Sequence, residues 1–158
     1  LASLFELTDY PNFRLVLIDN GTVDGEALSL LEAAAARDDV TVVRDEAPFN
    51  YSRLNNRAVA LADGPLIGLL NNDIKIVHAD WLTEMISQAL RPDVGCVGAK
   101  LYYPDGRIQH AGVGLGISGV AGHVHHLFPR DSTGYFGRLS MVHDFSAVTG
   151  AVMVMRKA

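Results

Sequence analysis

The sequence predicts an α/β fold, a mainly parallel sheet flanked by helices, and three observations predict it. Strand-like and helix-like segments alternate along residues 1–97, the pattern of βα units. The run Leu66-Ile67-Gly68-Leu69-Leu70 has no polar alternation, as expected of a strand buried on both faces. That run stops abruptly on Asn71-Asn72-Asp73, and open α/β sheets bind ligands in the crevice beyond the carboxyl ends of their strands.

The elements follow in order. Leu1, Leu4, Phe5 and Leu7 suit the end of an amphipathic helix that Tyr10-Pro11-Asn12 breaks. Phe13 to Ile18 reads as a strand running into the turn-rich cluster Asp19-Asn20-Gly21-Thr22. Thr22 or Asp24 can cap the next helix, which places Ala27, Leu28, Leu30, Leu31, Ala34 and Ala35 on its inner side. Val40 to Arg44 is a β-branched strand, and a loop with Pro48 leads to a helix from about Ser52 to Ala62, ended by Gly64-Pro65. After Asp73, Asp80 is the expected cap of a helix carrying Trp81, Leu82, Met85, Ile86 and Ala89 at helical spacing, stopped by Pro92. Val94 to Val97 starts another strand. From Gly106 to Gly137 periodicity is lost, and the expectation is a long excursion over the site rather than core. Met141 to Met155 returns to the sheet.

Length and composition bound the function. The 158 residues fit one domain, read as spanning 1–158, and 49% hydrophobic residues suffice for a core. A net charge of −5, with 13 scattered basic residues, argues against nucleic acid as the partner. A single cysteine, Cys96, excludes an internal disulfide and favours a reducing compartment. No segment approaches the about 20 apolar residues of a transmembrane span, and no signal peptide is visible. The expected location is the cytoplasm, or the periphery of the inner membrane face; a homo-oligomer stays open. The chain starts at Leu1 and stops after a strand-like run, so it reads as a piece of a longer protein.

A carboxylate at the rim of such a crevice is suited to hold a divalent cation against phosphate. The competing reading of Asn71-Asn72-Asp73 is a strand-end turn. Lone His110 and His143 read as structural, and Gly122-His123-Val124-His125-His126 clusters imidazoles that suit Zn²⁺. No nucleophile elbow is present, and Gly112-Val113-Gly114-Leu115-Gly116 does not open a helix after a strand as a dinucleotide fingerprint must.

An ordered series of motifs runs along nearly the whole chain. It comprises Tyr10-Pro11-Asn12-Phe13, Asp19-Asn20-Gly21-Thr22, Asp24-Gly25, Phe49-Asn50-Tyr51-Ser52, Asn55-Asn56, Ala62-Asp63-Gly64, Leu70-Asn71-Asn72-Asp73, Trp81-Leu82, Val97-Gly98-Ala99-Lys100-Leu101, Gln109-His110-Ala111-Gly112 and Thr149-Gly150-Ala151. In order and spacing the chain resembles the family-2 glycosyltransferases of the GT-A fold, especially their bacterial rhamnosyltransferase-like branch.

The resemblance implies a Rossmann-like sheet and an inverting, metal-dependent transfer of a hexosyl or rhamnosyl group in polysaccharide biosynthesis. The donor would be a UDP- or dTDP-linked sugar, and the acceptor a glycan or lipid-linked saccharide. It assigns the base to Asp19 and Asn20, whose oxygens can accept the imide N–H of uracil or thymine. It maps the family's DxD motif onto Asn71-Asn72-Asp73, with Asp73 holding Mg²⁺ or Mn²⁺ on the diphosphate. Asn71 replaces the first Asp, which weakens the cation site without disqualifying it, since Mg²⁺ often uses one or two carboxylates plus substrate phosphates. Asn56, Asn71 and Asn72 fall in the ribose or diphosphate neighbourhood, and Lys100 and His110 on the site wall. In the family a first strand would precede Leu1, and the carboxylate general base would lie beyond Ala158. These 158 residues are therefore expected to be inactive alone, with the strand's place closed by direct pairing of the strands ending at Asp19 and Asn71, or filled by another chain or by further residues. Two other functions stay open: a non-catalytic nucleotide- or glycan-binding module, and a metallohydrolase built on His123, His125 and His126.

Overall fold

A computed structural model describes residues 1–157, without the side chain of Ser118. The chain forms two compact units, Tyr10–Ile67 and the combination of Leu1–Asp9 with Gly68 onward.

Helix α1 (Ala2–Leu7) belongs to the second of these because polar contacts tie it there. Ser3 Oγ accepts from the Ile76 amide at 3.1 Å, Thr8 Oγ1 from Trp81 Nε1 at 3.0 Å, and the Asp9 amide donates to the Ala79 carbonyl at 2.9 Å.

The Tyr10–Ile67 unit is built as βαβα: β1 (Leu15–Asp19), α2 (Gly25–Ala35), β2 (Val40–Arg44) and α3 (Tyr51–Leu61). Strands β1 and β2 pair in parallel from Leu15 opposite Val40 to Asp19 opposite Arg44. Asp24, one of the two expected caps, accepts the Ala27 amide at 2.9 Å, and Asn50 caps α3 by accepting the Arg53 amide at 2.9 Å. Both helices follow β-branched strands through short polar loops, which is why each crosses back over the pair.

In the other unit β3 (Leu66–Leu70, from Gly68 on), α4 (Trp81–Ala89), β4 (Cys96–Gly98) and β9 (Val152–Arg156) make the principal layer. The sheet order is β3-β9-β4, with β9 antiparallel to β4. Val152 and Val154 point one way along β9 and are 2% and 1% exposed; with Met85 and Ala89 of α4 they form its core. Arg156 donates to the Ala89 and Arg91 carbonyls at 2.6 and 2.7 Å, satisfying the last turn of α4. At the other end Asp80 makes no capping side-chain bond, contrary to expectation.

The sheet is α/β in composition but not mainly parallel, nor clearly Rossmann-like. The β1–β2 ladder is parallel, whereas β4–β9, β5 (Leu101–Tyr102) with β6 (Ile108–His110), and β7 (Val113–Leu115) with β8 (Ala121–His123) are antiparallel. The returning segment does it: β9 inserts between β3 and β4 and separates strands that a simple βα series would leave adjacent. Alternating periodicity counts strands but does not say which one fills a gap. Among the described residues β1 pairs with β2 alone and β3 with β9 alone, so the expected direct pairing is not formed.

The expected excursion at 106–137 is also corrected. Its first part is core: Ile108 is 0% and His110 1% exposed, as deeply buried as Val154 and Ala89 of the principal layer. Strands of three residues are too short to show period-2 alternation, and the frequent glycines masked them. Gly112, at φ +105°, lies where a Cβ would come within 2.4 Å of the Phe145 ring, so only glycine fits this bend.

Candidate functional site

Two sets of polar groups stand out, one in each unit. In Tyr10–Ile67 the parallel register sets Asp19 beside Arg44, at the carboxyl ends of both strands. Asp19 is buried; its Oδ1 accepts the Thr22 amide at 2.9 Å and its Oδ2 the Arg44 guanidinium at 2.6 Å. Thr22 first and Arg44 second hold its carboxyl down at about 2 against desolvation, which pushes the other way. Gly21, at φ +77°, gives the turn its left-handed step. The turn expected at Asp19-Asn20-Gly21-Thr22 is thus formed around the Asp19 carboxylate, while the helix that follows is capped by Asp24.

Asn20 is oriented by the neighbouring loop. Its Nδ2 donates to the Asp45 and Ala47 carbonyls, both at 2.9 Å. Only the amino end of an amide can satisfy two carbonyls, so the assignment of Oδ1 follows from the network. Among the described residues Oδ1 accepts nothing, which leaves it for a ligand donor.

Asp45, Arg53 and Arg57 complete this network and were missed in the sequence. The buried Asp45 carboxylate takes a two-pronged contact from Arg53 at 2.7 and 3.0 Å and a third from Arg57 at 2.6 Å, while Oδ1 also accepts the Ala47 amide at 3.0 Å. Hydrogen bonds from Arg53, then Arg57, keep its carboxyl far below the usual carboxylate range. The one available signal was Arg53 and Arg57 at i,i+4 on a single helix face, four residues being the spacing of side-chain neighbours. Asn56, on the same helix, is exposed and carries a free amide among the described residues.

In the other unit β3 delivers Asn71, Asn72 and Asp73 into an exposed turn. The Asn71 amide donates to the Ala151 carbonyl at 2.9 Å, which fixes where the turn begins. Asp73 makes no hydrogen bond or ion pair among the described residues. Its carboxylate is therefore available, in contrast to Asp19 and Asp45. No group of three His, Cys, Asp or Glu side chains that could hold a metal exists among the described residues, so a cation at Asp73 would take its remaining ligands from substrate and water.

Lys100 and His110 line a cavity of about 640 Å³ formed by α4, β4 and residues 138–148. Lys100 Nζ donates to the Leu139 carbonyl at 2.9 Å and lies 5.4 Å from the Tyr102 ring centre. Asn71, Asn72 and Asp73 are not part of that cavity wall.

The histidines do not form a zinc site. His123 Nδ1 lies 2.8 Å from His110 Nδ1, His126 Nε2 is 3.1 Å from the Tyr103 hydroxyl, and His125 turns away at φ 53° with its ring edge-on to Phe128. Close spacing in sequence did not become convergence, because residues 123–127 turn instead of running straight. The metallohydrolase reading falls with it.

Burial lowers the His110 pKa to about 4, helped by the charge of His123. The folded chain then refuses a proton that the unfolded chain takes up below about pH 6.5. Stability from this group is intact above pH 6.5 and falls as pH drops toward 4. Asp19 works lower: its contribution is intact above about pH 4 and is lost as pH falls toward 2. Urea denaturation at pH 7, 5 and 3 is expected to show both losses, with His110→Gln flattening the upper one alone.

The chain belongs to a known class of protein. The family model for "Glycosyl transferase family 2" matches residues 1–151, and the chain belongs to that family, whose architecture is the GT-A type of α/β fold. The chain is 51% identical over 158 residues to "Uncharacterized protein y4gI" of Sinorhizobium fredii (strain NBRC 101917 / NGR234), covering 99% of this chain and 17% of that protein. It is 40% identical over 156 residues to "O-antigen biosynthesis protein RfbC" of Myxococcus xanthus, covering 98% of this chain and 12% of that protein. The chain thus spans less than a fifth of the length of these curated relatives. No solved structure matches it. Among the described residues no helix is long and apolar enough to cross a membrane.

Proposed function

We propose that this chain is the donor-binding part of a glycosyltransferase that moves a hexosyl or rhamnosyl group from a UDP- or dTDP-linked sugar to a glycan or lipid-linked saccharide. The observation that carries the reading is Asp73, an exposed and uncommitted carboxylate in the turn that ends β3. Family membership and the O-antigen name of one relative support it.

Each group takes a role that its chemistry allows. Asp73 would hold Mg²⁺ or Mn²⁺, and a cation bound there would supply Lewis-acid stabilisation of the charge developing on the leaving nucleoside diphosphate. Asn71 and Asn72 offer amides to the diphosphate or ribose. In the Tyr10–Ile67 unit Asn20 Oδ1 accepts the imide N–H of uracil or thymine. Asp19, whose two oxygens are already engaged, keeps spare lone pairs for the same donor. Lys100 serves from the wall of the cavity, whereas His110, buried with both ring nitrogens engaged, makes no ligand contact. The inverting displacement, a polysaccharide product and a cytoplasmic or membrane-peripheral site of action belong to the same proposal.

Calorimetric titration of UDP and dTDP, each with and without Mn²⁺, tests it. Binding that requires Mn²⁺ is the expected result. Failure of all four titrations contradicts the donor-site reading and favours an interaction module. Metal-independent nucleotide binding contradicts the role of Asp73 alone.

A further inference from the structure

We infer that His110 is a positioning residue which, as its Nδ1–H tautomer, sets the backbone of Asn71 at the head of the Asp73 turn through residues 149–151. The functional meaning of the inference rests on the proposed role of Asp73; its structural content does not.

Four contacts inside one unit make the relay. His110 Nε2 lies 3.3 Å from the Gly112 amide nitrogen and 3.4 Å from that of Thr149. Backbone N–H groups only donate, so Nε2 must present its lone pair and carry no proton. The proton of the neutral ring is then on Nδ1, which lies 2.8 Å from His123 Nδ1. One of those two nitrogens must donate, and the bare Nε2 assigns the donor to His110. His123 accepts at Nδ1 and holds its own proton on Nε2.

Beyond His110 the relay runs through the Thr149 hydroxyl and the main chain. Thr149 Oγ1 accepts the Ala151 amide at 3.3 Å, closing a tight turn. The Ala151 carbonyl accepts the Asn71 amide at 2.9 Å, at the point where β3 ends and the exposed turn starts. The Val113 amide donates to the Ala147 carbonyl at 3.2 Å, pinning the same segment from its other end. With His110 only 1% exposed, water cannot replace its lone pair, and a side chain without an acceptor leaves two amides unsatisfied. A core histidine that merely filled space would need no particular tautomer.

Imidazole ¹⁵N NMR on the wild-type chain at pH 7 is the first test. The expected spectrum shows His110 protonated at Nδ1 and unprotonated at Nε2; the opposite tautomer, or an imidazolium, overturns the inference. Amide hydrogen exchange in two variants is the second. His110→Gln keeps an acceptor near the Nε2 position, and His110→Leu keeps bulk without one. In His110→Leu, exchange at Thr149 and Asn71 is expected to quicken by about fivefold or more, and in His110→Gln to stay within about twofold. Equal exchange in a folded His110→Leu overturns the relay. Should that variant fail to fold, Thr149→Val, which removes the Oγ1 acceptor, is expected to quicken exchange at Asn71, and an unchanged rate overturns it. Mn²⁺-dependent UDP affinity is read in parallel and is expected to fall about fivefold in His110→Leu and to be rescued in His110→Gln. Absence of UDP binding by the wild type refutes the donor-site proposal, while exchange at Asn71 still decides the relay.

Discussion

Asp73→Asn is expected to abolish Mn²⁺-dependent binding of UDP or dTDP while leaving the fold untouched. The side chain is exposed and makes no hydrogen bond or ion pair among the described residues, so its replacement should shift unfolding by no more than about 0.5 kcal/mol. The functional effect is large for the same reason. Among the described residues no group of three His, Cys, Asp or Glu side chains that could hold a metal exists, so the proposed cation site leans on this one carboxylate together with substrate and water. A loss of about tenfold or more in affinity with Mn²⁺ present, and none in its absence, is the predicted pattern. Asp63→Asn is the control: its 3.4 Å pairing with Arg14 is three-quarters exposed on both sides, so it should change neither quantity. Calorimetry on the three proteins measures both.

Asp45→Ala is expected to be the most damaging polar substitution in the Tyr10–Ile67 unit. Two guanidinium groups converge on that carboxylate, and the Ala47 amide leans on it as well. Its removal leaves Arg53 and Arg57 facing each other without their anion and frees the loop whose carbonyls hold the Asn20 amide. A fall in melting temperature of about 5 °C or more follows, with faster amide exchange along β1 and β2. Asp45→Asn should recover only part of this, because an amide cannot accept from both arginines as an anion does. Differential scanning calorimetry and hydrogen exchange check the ordering: wild type, then Asn, then Ala.

What could be read in the residues depended on how local the signal was. The strand Leu66–Leu70 was legible because a run of uninterrupted apolar residues and an abrupt polar stop are both local, although only Ile67 of it is buried, not both faces as expected. The helices were legible to within a residue or two, since Asp24 and the helical spacing of Trp81, Leu82 and Met85 act over single turns. Asp45 was not legible: a lone carboxylate after a strand looks solvated until the two arginines, eight and twelve residues on, fold over it. His110 was singled out on resemblance, but its burial and tautomer depend on a hairpin of three-residue strands and on Thr149, thirty-nine residues away. Of the mainly parallel sheet that was expected, the β1–β2 ladder is formed, whereas the placement of β9 between β3 and β4, antiparallel to β4, is a long-range choice that periodicity does not encode. The histidine trio erred in the opposite direction, its proximity along the chain undone by a left-handed step at His125.

The central claim is that the Asp73 carboxylate receives a divalent cation together with a nucleoside diphosphate. Paramagnetic broadening by substoichiometric Mn²⁺, recorded by amide NMR in the presence of saturating UDP, tests it most directly. The account predicts that the resonances of Asn71, Asn72 and Asp73 disappear first, and that they persist when UDP is omitted or Asp73 is replaced by Asn. Broadening centred on His123 and His126, or spread evenly over the acidic surface, would contradict it.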